Sequence, residues 1–115
     1  MLRKLSLAVV LLTTFFSINA VAGNSVTISA YKNLNEKHLN SLKLHINGVG
    51  QGFLWSNNIE GRKPFYCSPG KLALNADNYM QIIDSQIPLY EKSGKDFPIE
   101  MLLLFGLQEA FPCKS

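Results

Sequence analysis

The sequence predicts an all-α fold: a small helical domain of three to four helices around a buried C-terminal helix, stapled by one disulfide. Three observations lead to this prediction. Apolar residues recur at steps of three and four along much of the chain, which is the spacing of an amphipathic helix. The 115 residues are enough for one hydrophobic core and too few for two. The two cysteines, Cys67 and Cys113, form an even pair with a single intramolecular connectivity.

The first 22 residues have the layout of a secretory signal peptide. A basic start, Met1–Lys4, precedes the uncharged stretch Leu5–Phe16, and Ala20-Val21-Ala22 then supplies the small residues that a signal peptidase requires. A membrane anchor is the alternative, but the apolar stretch is well short of the about 20 residues that span a bilayer. We therefore expect cleavage after Ala22 and a single mature domain, residues 23–115, outside the cytoplasm.

Composition excludes two classes of protein. With 47% hydrophobic and 17% charged residues, the chain is too apolar for intrinsic disorder. The formal charge of +3 includes Arg3 and Lys4 of the predicted signal peptide, so the mature chain keeps nine basic residues against eight acidic ones. A balance of +1 leaves no electrostatic basis for nucleic-acid binding.

Export favours a structural disulfide between Cys67 and Cys113, because thiols oxidise outside the cytoplasm. A metal pair or a catalytic thiol is the alternative, but no third or fourth ligand clusters near either cysteine in the sequence. The bond would close a long loop, which the chain-entropy model values at about 4 kcal/mol.

The mature chain begins with Asn24–Asn33, which alternates apolar and polar residues and is interpreted as a short strand or an ordered arm. From about Asn35 the period becomes helical, and either Asn33 or Asn35 can cap the helix start. Gly48 and Gly52 lie one turn apart on this helix and are interpreted as a notch for a helix crossing. The apolar stripe consists of Leu39, Leu42, Ile46, Val49 and Phe53.

Two further helices are expected. One begins after Asn75 as its cap and ends or kinks near Ile87, because Pro88 removes a helical N–H and clashes with the preceding turn. The last starts at Pro98, stops at Pro112, and carries the segment 101–105, which is apolar on every side. Such a helix is expected to be buried on every side.

The sequence contains no catalytic pattern, so we expect neither an enzyme nor a cofactor or metal site. His38 and His45 are two helical turns, or about 10 Å, apart, which is too far to share a metal. Glu100 and Glu109 are nine positions apart and are expected on opposite sides of the last helix, so they do not make a paired-carboxylate site.

The candidate partner-binding segment is Trp55–Tyr66, most of which lies in the expected loop Ser56–Gly70. Trp, Tyr and Arg are the residues that concentrate binding energy at protein interfaces. A disulfide at one end would reduce the ordering entropy lost on binding. The alternative is that the aromatic residues cap the core. The candidate partner-binding residues are Trp55, Asn57, Asn58, Arg62 and Tyr66.

Three segments form a recognisable pattern: His45–Gly52, Phe65-Tyr66-Cys67-Ser68-Pro69, and Phe111-Pro112-Cys113. Through these segments the sequence from Leu44 to Cys113 resembles the Rap/Tai-type immunity proteins of type VI secretion systems. The resemblance implies a small exported helical protein whose two cysteines are bonded. Many relatives carry an earlier cysteine pair, which this chain lacks between residues 27 and 47.

The resemblance also implies a function. Proteins of that family bind toxic amidases that cut peptidoglycan in the periplasm and block the active-site cleft, and characterised members are homodimers. By similarity, we expect a periplasmic inhibitor of a peptidoglycan amidase effector. The alternative is a helical module resembling the acid-stress chaperones of the periplasm, although no dense cluster of carboxylates suggests an acid trigger.

Overall fold

The computed structural model describes residues 25–114; the predicted signal peptide, residues 1–22, lies outside the described residues. The described chain forms four helices and no named strand, so the all-α prediction is confirmed. Its only β-type pairing is an isolated antiparallel bridge between Thr27 and Pro98. The helices are α1 (Ile28–Lys32), α2 (Glu36–Ser56), α3 (Ala76–Glu91) and α4 (Ile99–Ala110).

Beyond this bridge, the first segment is a short helix rather than the predicted strand or ordered arm. Ile28 donates to the Phe97 carbonyl and Ile99 donates to the Val26 carbonyl, at 3.0 and 2.9 Å. The chain then turns into α1, because the Thr27 hydroxyl caps the helix start by accepting from the Ala30 N–H. The prediction for this segment was therefore wrong beyond residue 27.

Helix α2 begins where its cap predicts. The Asn35 side chain accepts from the His38 N–H at 2.9 Å, while Asn33 instead ends α1. Of the predicted stripe, Leu42 and Ile46 are buried and the other three residues pack against the core.

The predicted notch at Gly48 and Gly52 is wrong. Nothing lies within 4 Å of a Cβ added at either position, because both glycines face away from the other helices. The close approach is at Gly50, where an added Cβ would overlap the buried ring of Tyr79 on α3. Glycine is therefore needed at residue 50 for α2 and α3 to meet at this distance.

Helix α3 starts as predicted but continues through Pro88. Asn75 and Asn78 form a reciprocal capping box at its start. The helix does not end near Ile87, and two facts explain this correction. Pro88 and Asp84, whose carbonyl the proline leaves free, lie on the exposed side, where water can bind that carbonyl. Tyr90, in the last turn, packs on the rings of Phe97 and Phe105, with centroids 5.2 and 5.4 Å away.

Helix α4 supplies much of the core but is not buried on every side. Leu102, Leu103 and Leu107 are fully buried, whereas Met101 is 40% exposed. The helix packs on α2 and, more extensively, on α3, so its remaining face reaches solvent. A Cβ added at Gly106 would overlap Ile82, so the contact between α3 and α4 also depends on a glycine.

Candidate functional site

The predicted disulfide between Cys67 and Cys113 is present and joins the loop after α2 to the segment after α4. A backbone hydrogen bond from the Cys67 N–H to the Phe111 carbonyl, at 2.8 Å, lies beside it. The loop is thus fixed to the end of α4 by one covalent bond and one hydrogen bond.

Asn57 holds the loop at its other end. Its Oδ1 accepts from the Phe65 N–H at 2.9 Å and its Nδ2 donates to the Tyr66 carbonyl at 3.0 Å. A single amide therefore ties residue 57 to two successive residues across the loop. This side chain is half-buried and both of its amide groups are engaged within the loop, so it fixes the loop; a contact of Asn57 with a partner stays a prediction.

Tyr66 belongs to the core. Its side chain is 1% exposed and tilts against the Phe111 ring, with centroids 6.4 Å apart. Burial, and secondarily the phenol of Tyr79, raise the pKa of Tyr66 to about 12. Its hydroxyl has no hydrogen-bond partner within the described part of the chain. Of the two interpretations of Tyr66, the one in which it caps the core agrees with its position, and it is not available to a partner.

The other predicted partner-binding residues lie at the surface. Trp55 is 70% exposed at the end of α2. Arg62 is exposed and its guanidinium lies 5.6 Å from the centroid of the Phe65 ring, a cation–π distance. Asn58 is exposed, but its Nδ2 donates back to the Leu54 carbonyl at 3.1 Å.

Two further surface residues are not among the predicted partner-binding residues. Ile59 is 50% exposed and Phe65 is 39% exposed. No local signal in the sequence separates Phe65 from Tyr66, because the two aromatic residues are adjacent and lie in a loop. We call the set Trp55, Ile59, Arg62 and Phe65 the disulfide-anchored surface.

The exposed face of α2 continues this surface. Leu44 is 78% exposed, and Gly48, Gly52 and Trp55 follow it at helical spacing on the same side. Two glycines between two exposed apolar side chains leave a shallow strip of accessible backbone. This strip and the disulfide-anchored surface share Trp55.

The histidines lie elsewhere, on a groove beside the start of α4. His45 Nε2 is 3.0 Å from Glu100 Oε1, whereas Glu109 accepts from Gln86 on α3 at 2.9 Å. Ser41, on the same groove, donates to the Lys37 carbonyl and makes no hydrogen bond with His45. Within residues 25–114, no three side chains of the metal-binding types come together to hold an ion.

No helix of the described chain is both long and apolar enough to cross a bilayer. Comparison of the chain with protein-family models, curated proteins and solved structures gives no significant match.

Proposed function

We propose that this protein is a non-catalytic binding module of the periplasm that inhibits a peptidoglycan amidase effector, like the Rap/Tai-type immunity proteins. The observation that carries the proposal is the disulfide-anchored surface. It presents an exposed Trp at the end of α2, and an exposed Arg and two exposed apolar side chains on the following loop, whose ends are fixed.

Such a surface suits protein recognition for energetic reasons. Aromatic and Arg anchors contribute the largest single-residue energies at interfaces. Because the disulfide and Asn57 already fix the loop, little conformational entropy is lost when a partner binds. Arg62 is held over Phe65 and so presents a positive charge in a defined place.

The periplasmic and amidase parts of the proposal come from the sequence. They are supported by the signal-like segment 1–22 and by the resemblance over Leu44–Cys113. A disulfide agrees with an oxidising compartment. The exposed strip of α2 is the surface on which we propose that a homodimer forms, because its two glycines allow close approach of a second helix.

The test is binding to the amidase effector that we expect to be encoded beside this protein. We expect Trp55→Ala to weaken binding by at least about 2 kcal/mol, as for a central anchor, and Arg62→Ala to weaken it less. Inhibition of peptidoglycan cleavage should fall in parallel. Calorimetry and release of cell-wall peptides measure the two effects.

The matched control is Leu89→Ala, which removes a comparably exposed apolar side chain from α3, outside the disulfide-anchored surface. It should bind like the wild type. Folded Trp55→Ala and Arg62→Ala variants with wild-type affinity would show that this surface is not the interface. An amidase that is not bound at all would overturn the proposed function itself.

A further inference from the structure

Charge is unevenly distributed along the described chain. The disulfide joins segments 55–72 and 111–114, which together carry four basic residues and one acidic residue, a net charge of +3. The rest of residues 25–114 carries five basic and seven acidic residues, a net charge of −2. The nearly neutral total therefore conceals a positive end of the molecule, whose basic residues are Arg62, Lys63, Lys71 and Lys114.

The four basic residues of the positive end are exposed and unpaired. None of them makes an ion pair within residues 25–114, whereas Lys32 pairs with Glu91 and Lys43 pairs with Asp77 elsewhere in the molecule. Because no carboxylate neutralises these charges, their field reaches an approaching ligand. The positive end therefore attracts anions.

The exposed residues of the disulfide-anchored surface lie close together among these charges. The chain goes on turning after α2 ends: the Asn58 N–H donates to the Trp55 carbonyl at 3.0 Å. The Arg62 N–H then donates to the Ile59 carbonyl at 3.2 Å, which closes a second turn. Arg62 in turn lies over the Phe65 ring. A tryptophan, two further apolar residues and a cation thus share one short stretch of surface.

The asparagine side chains of the loop bond within the chain. Asn57 uses both of its amide groups and Asn58 uses its Nδ2 to bond to backbone atoms. The side chains left exposed are therefore mainly apolar ones and unpaired cations. The surface of an anionic bilayer needs only these two kinds of group and no matched set of hydrogen bonds.

We infer that the disulfide-anchored surface binds the surface of an anionic lipid bilayer. Trp55 enters the interfacial region, where tryptophan is favoured because its ring is apolar and its N–H is polar. Arg62 and Lys63 contact the lipid phosphates, and their aliphatic stems lie along apolar surface. The inference goes beyond the proposed function: it needs no amidase, and lipid and effector would exclude each other from this surface.

The test is a fluorescence titration of the mature protein with vesicles of equal parts phosphatidylglycerol and phosphatidylcholine. Trp55 is the only tryptophan of the chain, so its emission reports on this surface alone. We expect a blue shift, and quenching by lipids brominated on their acyl chains. Vesicles of phosphatidylcholine alone should be bound at least about tenfold more weakly, because each basic residue near an anionic surface contributes about fivefold in affinity. This comparison uses only the wild-type protein, so it does not depend on any variant folding.

The double variant Arg62→Gln/Lys63→Gln removes two exposed charges from the positive end. It should weaken binding to the anionic vesicles about 25-fold, as measured by co-sedimentation. The matched control is Lys92→Gln/Lys95→Gln, which removes two exposed charges from the turn after α3, beside α1. It should leave the affinity nearly unchanged.

Equal affinity for the anionic and neutral vesicles would overturn the inference, and so would vesicle binding that leaves the emission of Trp55 unshifted. Folded Arg62→Gln/Lys63→Gln with wild-type affinity would do the same. Vesicles that are not bound at all would also overturn it, and a loss of amidase binding in that variant would then assign the charges to an acidic protein surface. A failure of the vesicle assay leaves the amidase proposal intact, because the assay contains no amidase.

Discussion

The two ends of α2 are secured by different chemistry. At the C-terminal end, a disulfide, the Asn57 amide and the buried ring of Tyr66 hold the following loop. At the N-terminal end, α1 is held by the buried side chain of Ile28 and by three exposed polar contacts. These are Ser29 with Asp96, Tyr31 with Asp84 at 2.6 Å, and the ion pair of Lys32 with Glu91.

The difference matters because exposed ion pairs and hydrogen bonds contribute little and depend on pH and salt, whereas a covalent bond and buried packing do not. The rigid end carries the candidate interface. The end held by polar contacts lies beside the groove of Glu100. We therefore expect the interface to keep its shape under conditions that loosen α1.

The largest expected effect is at the C-terminal end of α2, where the disulfide holds the following loop. Replacing Cys67 and Cys113 together by Ser should lower the free energy of unfolding by about 4 kcal/mol, because the bond spans 46 positions of the chain. Urea denaturation measures this, with the chemically reduced wild type as the matched control. Hydrogen exchange should increase around residue 66 more than in α1. A loss below about 1 kcal/mol would show that packing alone fixes the loop.

The centre of α2 gives the next effect. Gly50→Ala should destabilise the fold by about 1–3 kcal/mol, because the new methyl group overlaps the buried Tyr79 ring. Gly48→Ala is the control two positions away, in open space on the single chain. At a concentration where the protein is monomeric, it should stabilise the fold by up to about 1 kcal/mol through helix propensity. Thermal unfolding of the two variants separates the effect of overlap with the Tyr79 ring from the effect of helix propensity. Equal shifts in both would contradict the close approach at Gly50.

Tyr66→Phe tests the buried end by removing a hydroxyl that has no hydrogen-bond partner among residues 25–114. We expect no loss of stability and a gain of up to about 1 kcal/mol. The pKa of Tyr66 in the folded protein, about 12, lies above the ordinary value of 10.0. The contribution of the protonated phenol to the free energy of unfolding is therefore complete below pH 10 and is lost as the pH rises through 12. The variant should therefore lose less stability than the wild type over that range. A destabilised variant would mean that the hydroxyl is bonded.

Asp96→Asn should have the smallest effect and the clearest pH dependence. Hydrogen bonds from the Ser29 hydroxyl and N–H hold the pKa of Asp96 below its ordinary value of 3.8. The contribution of the Asp96 carboxylate to the free energy of unfolding is therefore present above about pH 4. It is lost as the pH falls through the pKa of Asp96 in the folded protein. The stability difference between variant and wild type should shrink below pH 4, as measured by urea denaturation.

Local signals in the sequence predicted most of the helices. Asn35 and Asn75 cap α2 and α3 because a cap depends on residues only three positions away. Pro88 misled the prediction, because its cost is offset by Tyr90, whose aromatic partners lie on other segments. The crossing glycine could not be chosen either, since the choice between Gly48 and Gly50 depends on where Tyr79 lies.

The candidate site was predictable only in part. Trp55 and Arg62 lie at the surface as a binding role requires, but whether they bind a partner stays a prediction. Tyr66 and Phe65 are adjacent and chemically similar, so only the packing of Phe111 decides which of them faces inward. The contact of His45 with Glu100 joins residues 55 positions apart and has no local signature.

Asn57 gives the loop a weakness that the disulfide does not share. Its amide oxygen must accept one hydrogen bond and its amide nitrogen must donate the other, so the side chain can hold the loop in only one orientation. Hydrolysis of that amide to a carboxylate, a common form of chemical ageing, would set two oxygens against each other at the Tyr66 carbonyl. The disulfide would still attach the loop covalently, but the loop would lose its shape. A stored sample could therefore have an intact disulfide while its affinity for a partner declined.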